Sequence, residues 1–345
     1  MPDIELRFGR DMLVLSAPID AALARQGIDA ALDRQYLNLM EPEAIADALR
    51  LESMVGAQCI VTTTEDITRA RLAHIRMEED APRLARAALA AAAEVKPQHI
   101  LAEIGPCGLP IDASSKASLN ENRAQYADAA RAFGDGEFDA YFLNGFTSVD
   151  DLKCALMGVA QISGKPVMAS VYLGDADSPI ALEAKAAPEQ PTPTLNDIID
   201  TLPFAGYEPA PVAVSPIAPS ERAFLDAEAW PEAVAVMEDL GASVVGFETA
   251  EPLFRAVAYA ETAAKLTTLP LLAQLRVRES TGSSRTSALV PVADRKDYSA
   301  DTMEHAAASL HAAGVQFLRA TGKATSACTG ALAATVMGLD VRPRL

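Results

Sequence analysis

The sequence predicts a single (β/α)8 barrel, and the main reason is a strand–helix–strand pattern that occurs twice. In the first copy, an apolar run at Ala140–Leu143 is followed by apolar residues at helical spacing over Leu152–Val159. A second apolar run, Val167–Leu173, completes the unit. The same order returns over residues 243–277. Because parallel strands need a crossover of this kind, the repeat predicts a wound parallel sheet or a closed barrel.

The number of predicted strands favours the closed barrel, since eight strands are enough to close one. The eight runs, in chain order, are Met12–Leu15, Ala57–Val61, His99–Glu103, Ala140–Leu143, Val167–Leu173, Ser243–Phe247, Leu271–Val277 and Val315–Leu318. A ninth run, Pro211–Ser215, competes with them near the sixth strand. The clearest helices between and after them are Glu41–Met54, Pro82–Glu94, Asn120–Phe133, Ser220–Leu240, Met303–Ala313 and Ser326–Met337.

Two segments are longer than the usual loops of such a fold. Residues 174–220, after the fifth predicted strand, contain nine prolines, and residues 278–300, after the seventh, are rich in Ser and Thr. Both follow carboxyl ends of strands, the face on which barrel enzymes carry their sites. We expect either a lid or partner surface or ordinary surface elaboration. Residues 1–345 are predicted to form one domain, with 174–220 as a loop or lid insertion.

Composition limits the classes of partner and the cellular location. A net charge of −18 argues against binding nucleic acid through its phosphates. No apolar run approaches about 18 residues, so no membrane span is expected. The start of the chain lacks the apolar region of a signal peptide, and the four cysteines show no paired spacing, which favours the cytoplasm. Ala-rich helices are compatible with a homo-oligomer.

Polar side chains at the strand ends are the candidate site residues. We expect Glu103, Glu248 and Cys107 to be catalytic, although a lone Cys is more often inert than nucleophilic. An arginine there could hold a carboxylate or a phosphate, or could instead form internal salt bridges that cap the barrel. The residues expected to bind a small-molecule substrate are Ser16, Asp20, Thr63, Asn144, Thr249, Arg276, Arg319 and Lys323.

Short motifs accompany the first four predicted strands in a fixed order: Leu15–Asp20, Gly56–Gln58 with Thr62–Glu65, Ala102–Pro106, and Asn144–Phe146 with Ser148–Asp151. This order of motifs resembles the homocysteine S-methyltransferase family. That family includes betaine–homocysteine methyltransferase and the homocysteine domain of cobalamin-dependent methionine synthase. The resemblance implies a barrel and methyl transfer in one-carbon metabolism. It also places Ser16 and Asn144 where the family has an Asp and a Glu that help position the amino-acid substrate.

The resemblance also bears on cofactors, because family members activate homocysteine as a thiolate on zinc held by three cysteines. Those three positions fall on Thr249, Thr321 and Gly322, none of which can supply a thiolate. Zinc needs three or four nitrogen, sulfur or carboxylate ligands. We therefore expect no zinc at the family position and predict no metal ligand. A corrinoid protein or a folate is compatible as the methyl carrier.

Three functions remain open on these grounds. The first is a diverged, zinc-independent methyltransferase that acts on a small metabolite. The second is a non-catalytic paralogue that binds a small molecule or pairs with an active homologous subunit. The third is a diverged lyase or hydrolase that uses the Glu and Arg side chains at the strand ends.

Overall fold

The protein folds as a parallel barrel surrounded by helices, as the sequence predicts. The structure, a computed structural model, describes residues 4–28, 34–174, 224–278 and 298–342. The strands are β1 Leu13–Val14, β2 Cys59–Val61, β3 His99–Ile104, β4 Ala140–Phe146, β5 Val167–Gly174, β6 Leu225–Asp226, β7 Val244–Thr249, β8 Leu271–Val277 and β9 Phe317–Gly322. Eight of these parallel strands follow one another around the ring in the order β1-β9-β8-β7-β5-β4-β3-β2, and the short strand β6 pairs with β5 off this path.

The ring closes between β1 and β2 through a mixture of backbone and side-chain hydrogen bonds. Leu15 forms a parallel bridge with Cys59. The Gln58 amide N–H donates to the Val14 carbonyl at 3.0 Å, and the Val14 N–H donates to Oε1 of the Gln58 side chain at 2.8 Å. The Val61 N–H donates to Ser16 Oγ at 3.0 Å. The open edge of the sheet is thereby removed.

Helices cover the outside of the ring, and their buried faces are rich in alanine, which lets them pack closely on the strands. The helices are α1 Asp20–Arg25, α2 Arg34–Met40, α3 Pro42–Met54, α4 Arg69–Leu72, α5 Ala81–Glu94, α6 Lys116–Phe133, α7 Val149–Ala160, α8 Trp230–Asp239, α9 Leu253–Leu266, α10 Ala300–Ala312 and α11 Ser326–Val336. None of the helices in these described ranges is both long and apolar enough to cross a membrane.

The interior of the ring changes from apolar to polar toward the carboxyl ends of the strands. Its lower part is a separate apolar cluster that includes Leu101, Phe142, Met168 and Phe317. Two residues further along the same strands the inward side chains become polar, as Arg319 does two residues after Phe317. This alternation follows from the two-residue period of a strand. The barrel is therefore solid at its lower end and carries its polar groups at the upper end.

Several predicted boundaries differ from the observed ones. Residues 220–223 of the predicted helix Ser220–Leu240 lie outside the described residues, and the rest becomes α-helical only at Trp230. Before it, the Asp226 side chain caps a short 3-10 turn, and Pro231 lies in the first turn of the α-helix. The fourth strand does not end at Leu143. It continues to Phe146 through a bulge at which Gly145 has a φ of +80°.

The last strand also differs from the prediction, and two predicted features cannot be compared. Strand β9 runs over Phe317–Gly322 and not over Val315–Leu318, so Arg319 and Thr321 lie in the strand. The competing run at Pro211–Ser215 lies outside the described residues. So do residues 175–220 of the Pro-rich segment and 279–297 of the Ser/Thr-rich segment.

Candidate functional site

A polar cavity of about 780 Å³ opens at the carboxyl ends of the barrel strands. This is the face on which barrel enzymes hold their sites. Its lining carries four carboxylates and four cations, in addition to hydroxyl and amide groups. The charged and polar lining residues are Asp20, Thr62, Thr63, Glu65, Glu103, Asn144, Glu248, Arg276, Arg278, Arg319, Thr321 and Lys323.

The floor of the cavity is a connected set of buried polar side chains from β3, β4, β5, β8 and β9. Oε1 of Glu103 accepts from Asn144 Nδ2 at 2.8 Å and from the Arg319 guanidinium at 3.1 Å. Gln274 Nε2 donates to Asn144 Oδ1 at 2.7 Å and to Ser170 Oγ at 2.8 Å. The side-chain oxygen of Gln274, Oε1, accepts a hydrogen bond from the Arg319 guanidinium at 3.3 Å. Each buried group thus has a partner, which is what makes a polar floor stable inside a barrel.

The Glu103–Arg319 ion pair at the centre of this floor is almost fully buried. The Glu103 and Arg319 side chains are 7% and 4% exposed. The Arg319 Nε also donates to the Ser16 carbonyl at 2.9 Å, and its guanidinium lies over the ring of Phe142. All of these contacts are with residues of the barrel itself, so the Arg319 cation is compensated within the protein. It matches the alternative of an internal salt bridge that the sequence left open.

A second ion pair forms the wall of the cavity above this floor. Oε1 of Glu248, at the end of β7, accepts from Arg276 at 2.8 Å and from Thr321 Oγ1 at 2.8 Å. The Arg276 guanidinium lies 5.2 Å from the centre of the Tyr172 ring. Burial raises the pKa of the Tyr172 phenol, and the neighbouring Arg276 cation partly opposes this shift. The Arg276 side chain remains 45% exposed, so much of its surface faces the cavity.

Most of the residues expected at the site line this cavity. They are Asp20, Thr63, Glu103, Asn144, Glu248, Arg276, Arg319 and Lys323. Their roles in binding or catalysis stay predictions. Ser16, Thr249 and Cys107 are fully buried and lie outside the lining.

Ser16 and Thr249 have their polar atoms bound to the barrel itself. The Ser16 carbonyl accepts a hydrogen bond from Arg319 Nε, and the Ser16 hydroxyl accepts one from the Val61 N–H. Thr249 Oγ1 donates to the Leu173 carbonyl at 3.0 Å and accepts from the Glu251 N–H at 3.1 Å. Both therefore support strand ends and can act on a ligand only through their neighbours.

Cys107 lies in a separate polar cluster between the end of β3 and helices α6 and α7. Its Sγ donates to Asn122 Oδ1 at 3.1 Å, and its N–H donates to the Tyr126 hydroxyl at 2.9 Å. The same hydroxyl donates to Asp151 Oδ1 at 2.6 Å. Burial raises the pKa of the Cys107 thiol to about 11, and the Asp151 charge adds to this. Because the thiolate is the reactive form, this environment gives no support to a nucleophilic Cys107.

Burial also raises the pKa of Asp151, to about 6, against the opposing effects of the Tyr126 hydrogen bond and the Arg71 charge.

The sequence analysis missed Gln274 and Ser170, which hold the floor together. Both are fully buried, and both stand inside strands that otherwise read as apolar. Gln274 is two residues before Arg276, so both side chains point to the same side of β8. The position of Gln274, on the same side of the strand as Arg276, was therefore the sequence signal that could have identified it as a site residue.

The residues at the family's zinc positions do not fit a zinc–thiolate site. Thr321 donates its hydroxyl proton to Glu248, Thr249 donates to a backbone carbonyl, and Gly322 has no side chain. The Arg276 cation shares the Glu248 oxygen that Thr321 contacts. Within the described ranges, no three His, Cys, Asp or Glu side chains form a group that could hold a metal ion.

Comparison with known proteins identifies what this chain is similar to. The sequence model of the homocysteine S-methyltransferase family matches residues 19–192, just over half of the 345 residues. The oxidized form of the homocysteine methyltransferase MmuM from Escherichia coli superposes with a TM-score of 0.64 at 17% identity, over 94% of this chain and 96% of that one. Its metallated form gives a TM-score of 0.64 at 16% identity, over the same shares. No curated protein sequence matches the chain.

Proposed function

The chain belongs to the homocysteine S-methyltransferase family, and from this premise we propose that it is a zinc-independent methyltransferase that acts on a small metabolite in the barrel cavity. The observation that carries the proposal is the Thr321–Glu248–Arg276 cluster. It contains Thr321, one of the positions at which the family resemblance puts a zinc cysteine, and Glu248, which precedes a second such position, Thr249. A fold can keep its class of reaction while its site chemistry changes, so the family alone does not decide the mechanism.

Methyl transfer in this cavity needs a nucleophile, a methyl donor and a place for one proton. A thiol, amine or hydroxyl of the acceptor attacks the methyl carbon of a sulfonium or quaternary ammonium donor in line with the leaving atom. The nucleophile–carbon bond forms, and the electron pair of the breaking bond returns to the donor heteroatom. The proton of the nucleophile passes to Glu248 as general base.

The geometry of Glu248 and Glu103 supports these roles. Each carboxylate lines the cavity and has Oε1 held by an arginine and one further donor. Of the described residues, none donates a hydrogen bond to either Oε2. In this proposal Glu248 Oε2 takes the proton, and the Glu103 carboxylate stabilises the positive charge of the donor. A methyl carrier such as a corrinoid protein or a folate remains a prediction, as do a cytoplasmic location and a role in one-carbon metabolism.

The test is methyl transfer measured by NMR with ¹³C-methyl sulfonium and ammonium donors and with homocysteine as one acceptor. The reaction is run with and without a zinc chelator, on wild type, Glu248→Gln and the control Glu94→Gln. Glu94 is an exposed residue at the end of α5 that pairs with Arg50 and is not part of the cavity lining. We expect transfer that survives the chelator, is lost in Glu248→Gln and is kept in Glu94→Gln. Loss with chelator and recovery with added zinc would overturn the zinc-independent mechanism.

The same experiment addresses the non-catalytic alternative. That alternative is favoured by the Glu103–Arg319 and Glu248–Arg276 pairs, which already satisfy most of the charges that a reaction would use. Saturable binding of a metabolite without product, or a stable complex with a homologous subunit, would favour it. Turnover of a metabolite without any methyl donor would favour the lyase or hydrolase reading.

A further inference from the structure

Tyr172 lies beside Glu248 in the barrel wall, although it is not part of the cavity lining. The two residues are register partners in the parallel ladder between β5 and β7. Met168 and Ser170, which precede Tyr172 on β5, belong to the lower apolar cluster and to the polar floor. Because side chains alternate along a strand, Tyr172 points to the same inner side of the barrel, above the floor. It therefore stands at the level of the Glu248 carboxylate.

The Arg276 side chain reaches across Glu248 to this ring. Arg276 is on β8, and β7 lies between β8 and β5 in the ring of strands. Its NH1 donates to Glu248 Oε1 at 2.8 Å, and its guanidinium carbon lies 5.2 Å from the centre of the Tyr172 ring. Arginine stacks well on aromatic faces, because its planar cation is attracted by the ring and is weakly hydrated. The ring and the carboxylate therefore hold the same guanidinium from two sides.

Two carboxylates act on Arg276, and they belong to different parts of the barrel. Burial acts to lower the pKa of Arg276, but the charges of Glu248 and Glu65 oppose this effect, and the pKa is raised. Glu248 ends β7, next to β8, whereas Glu65 follows β2 and lines the cavity from there. Since β5 adjoins β7, contact with the Tyr172 ring favours the position of the guanidinium on Glu248 over a position nearer to Glu65.

We propose that Tyr172 is a positioning residue, whose ring keeps the Arg276 guanidinium on Glu248 and thereby fixes the orientation of the Glu248 carboxylate. Oε1 of Glu248 is bound by Arg276 and by the Thr321 hydroxyl, so a fixed carboxylate offers Oε2 to a proton. The proposal rests on the proposed function for the use of Glu248 as general base, and it adds how that base is kept in place. Tyr172 acts through Arg276 and does not touch the substrate, because its side chain lies outside the cavity lining.

Nuclear magnetic resonance of the arginine side chains in the full-length protein tests this placement without any substrate. The Nε–Hε signal of Arg276 is identified by its loss in Arg276→Lys, and its order parameter measures motion on the picosecond-to-nanosecond timescale. We expect a high order parameter in wild type and in Tyr172→Phe, which keeps the ring, and a clearly lower one in Tyr172→Leu, which removes it. Tyr172→Met gives the same comparison if Tyr172→Leu does not fold.

The matched control is Tyr36→Leu, the same substitution at a tyrosine on α2 that is 38% exposed and lies outside the cavity lining. This variant should leave the Arg276 signal as it is in wild type. Three results would each overturn the positioning role: an unchanged order parameter in Tyr172→Leu, a lowered one in Tyr172→Phe, or an Arg276 side chain that is already mobile in wild type.

Methyl transfer supplies a second, separate measurement. Tyr172→Leu should lower kcat by about twofold to fivefold with little change in KM, because the ring acts on the base and not on the bound substrate. This range corresponds to about 0.5–1 kcal/mol of cation–π stacking. Tyr172→Phe should restore the wild-type kcat, and a wild-type kcat in Tyr172→Leu would overturn the effect on Glu248. If wild type transfers no methyl group, the proposed function fails, while the order parameters still decide whether Tyr172 holds Arg276.

Discussion

The carboxyl group of Asp151 gives the sharpest prediction about stability, because burial raises its pKa from 3.8 to about 6. A folded state with a raised carboxyl pKa binds a proton more tightly than the unfolded state does. Stability from this group is therefore fully present below about pH 4 and is lost as the pH rises through about 6. About two pKa units correspond to about 3 kcal/mol, which we reduce to about 2 kcal/mol because the side chain is partly exposed.

The perturbation is Asp151→Asn, which keeps an oxygen to accept from Tyr126 and cannot ionise. We expect the variant to match wild type near pH 4 and to be about 2 kcal/mol more stable near pH 7. Urea unfolding followed by circular dichroism across this range measures the difference. The matched control is Asp150→Asn, on the same helix turn, whose 39% exposed side chain pairs with Lys153 at the surface. A stability difference for Asp151→Asn that does not grow with pH would refute the reasoning.

Three other predictions follow from single contacts. Arg319→Met should lower the free energy of unfolding in urea by about 3–5 kcal/mol, because it leaves Glu103 buried without its cation. Adding Glu103→Gln should restore part of the lost stability, whereas a loss below about 1 kcal/mol in Arg319→Met would contradict the prediction. Cys107, whose thiol has a pKa of about 11, should react with iodoacetamide much faster in urea than when folded, and equal rates by mass spectrometry would argue against its burial. Gly322→Ala should destabilise the protein by about 1–3 kcal/mol in the same urea assay, because its φ is +65°; Gly164→Ala, with no atom within 4 Å of the added Cβ, should have little effect.

The barrel and the face that carries the cavity could be predicted because both depend on periodicity. Repeated strand–helix units determine a parallel sheet, and the carboxyl ends of parallel strands share one edge. The ends of strands were less predictable, since a polar residue can continue a strand. Asn144 illustrates this: its Asn-Gly sequence reads as a turn, but Gly145 forms a bulge and the strand goes on to Phe146.

The direction of each side chain at the cavity depends on contacts that sequence spacing does not contain. Cys107 lies just after the end of β3, four residues beyond Glu103, yet its hydrogen bonds go to Asn122 and Tyr126 on α6 and it does not line the cavity. The pairing of Arg319 with Glu103 joins residues 216 positions apart in the chain. Such a pair is determined by the closure of the ring and becomes visible only in the folded structure.

The closure between β1 and β2 has a consequence for how this barrel can vary. Backbone groups hold this seam together with two side chains, the amide of Gln58 and the hydroxyl of Ser16. Substitutions at these two positions can therefore loosen one side of the barrel without altering the other strand pairs. Asp20 and Thr63 reach the cavity from this side. A substitution at Gln58 or Ser16 is therefore expected to alter the Asp20 and Thr63 side of the cavity while the Glu248–Arg276 contact stays in place.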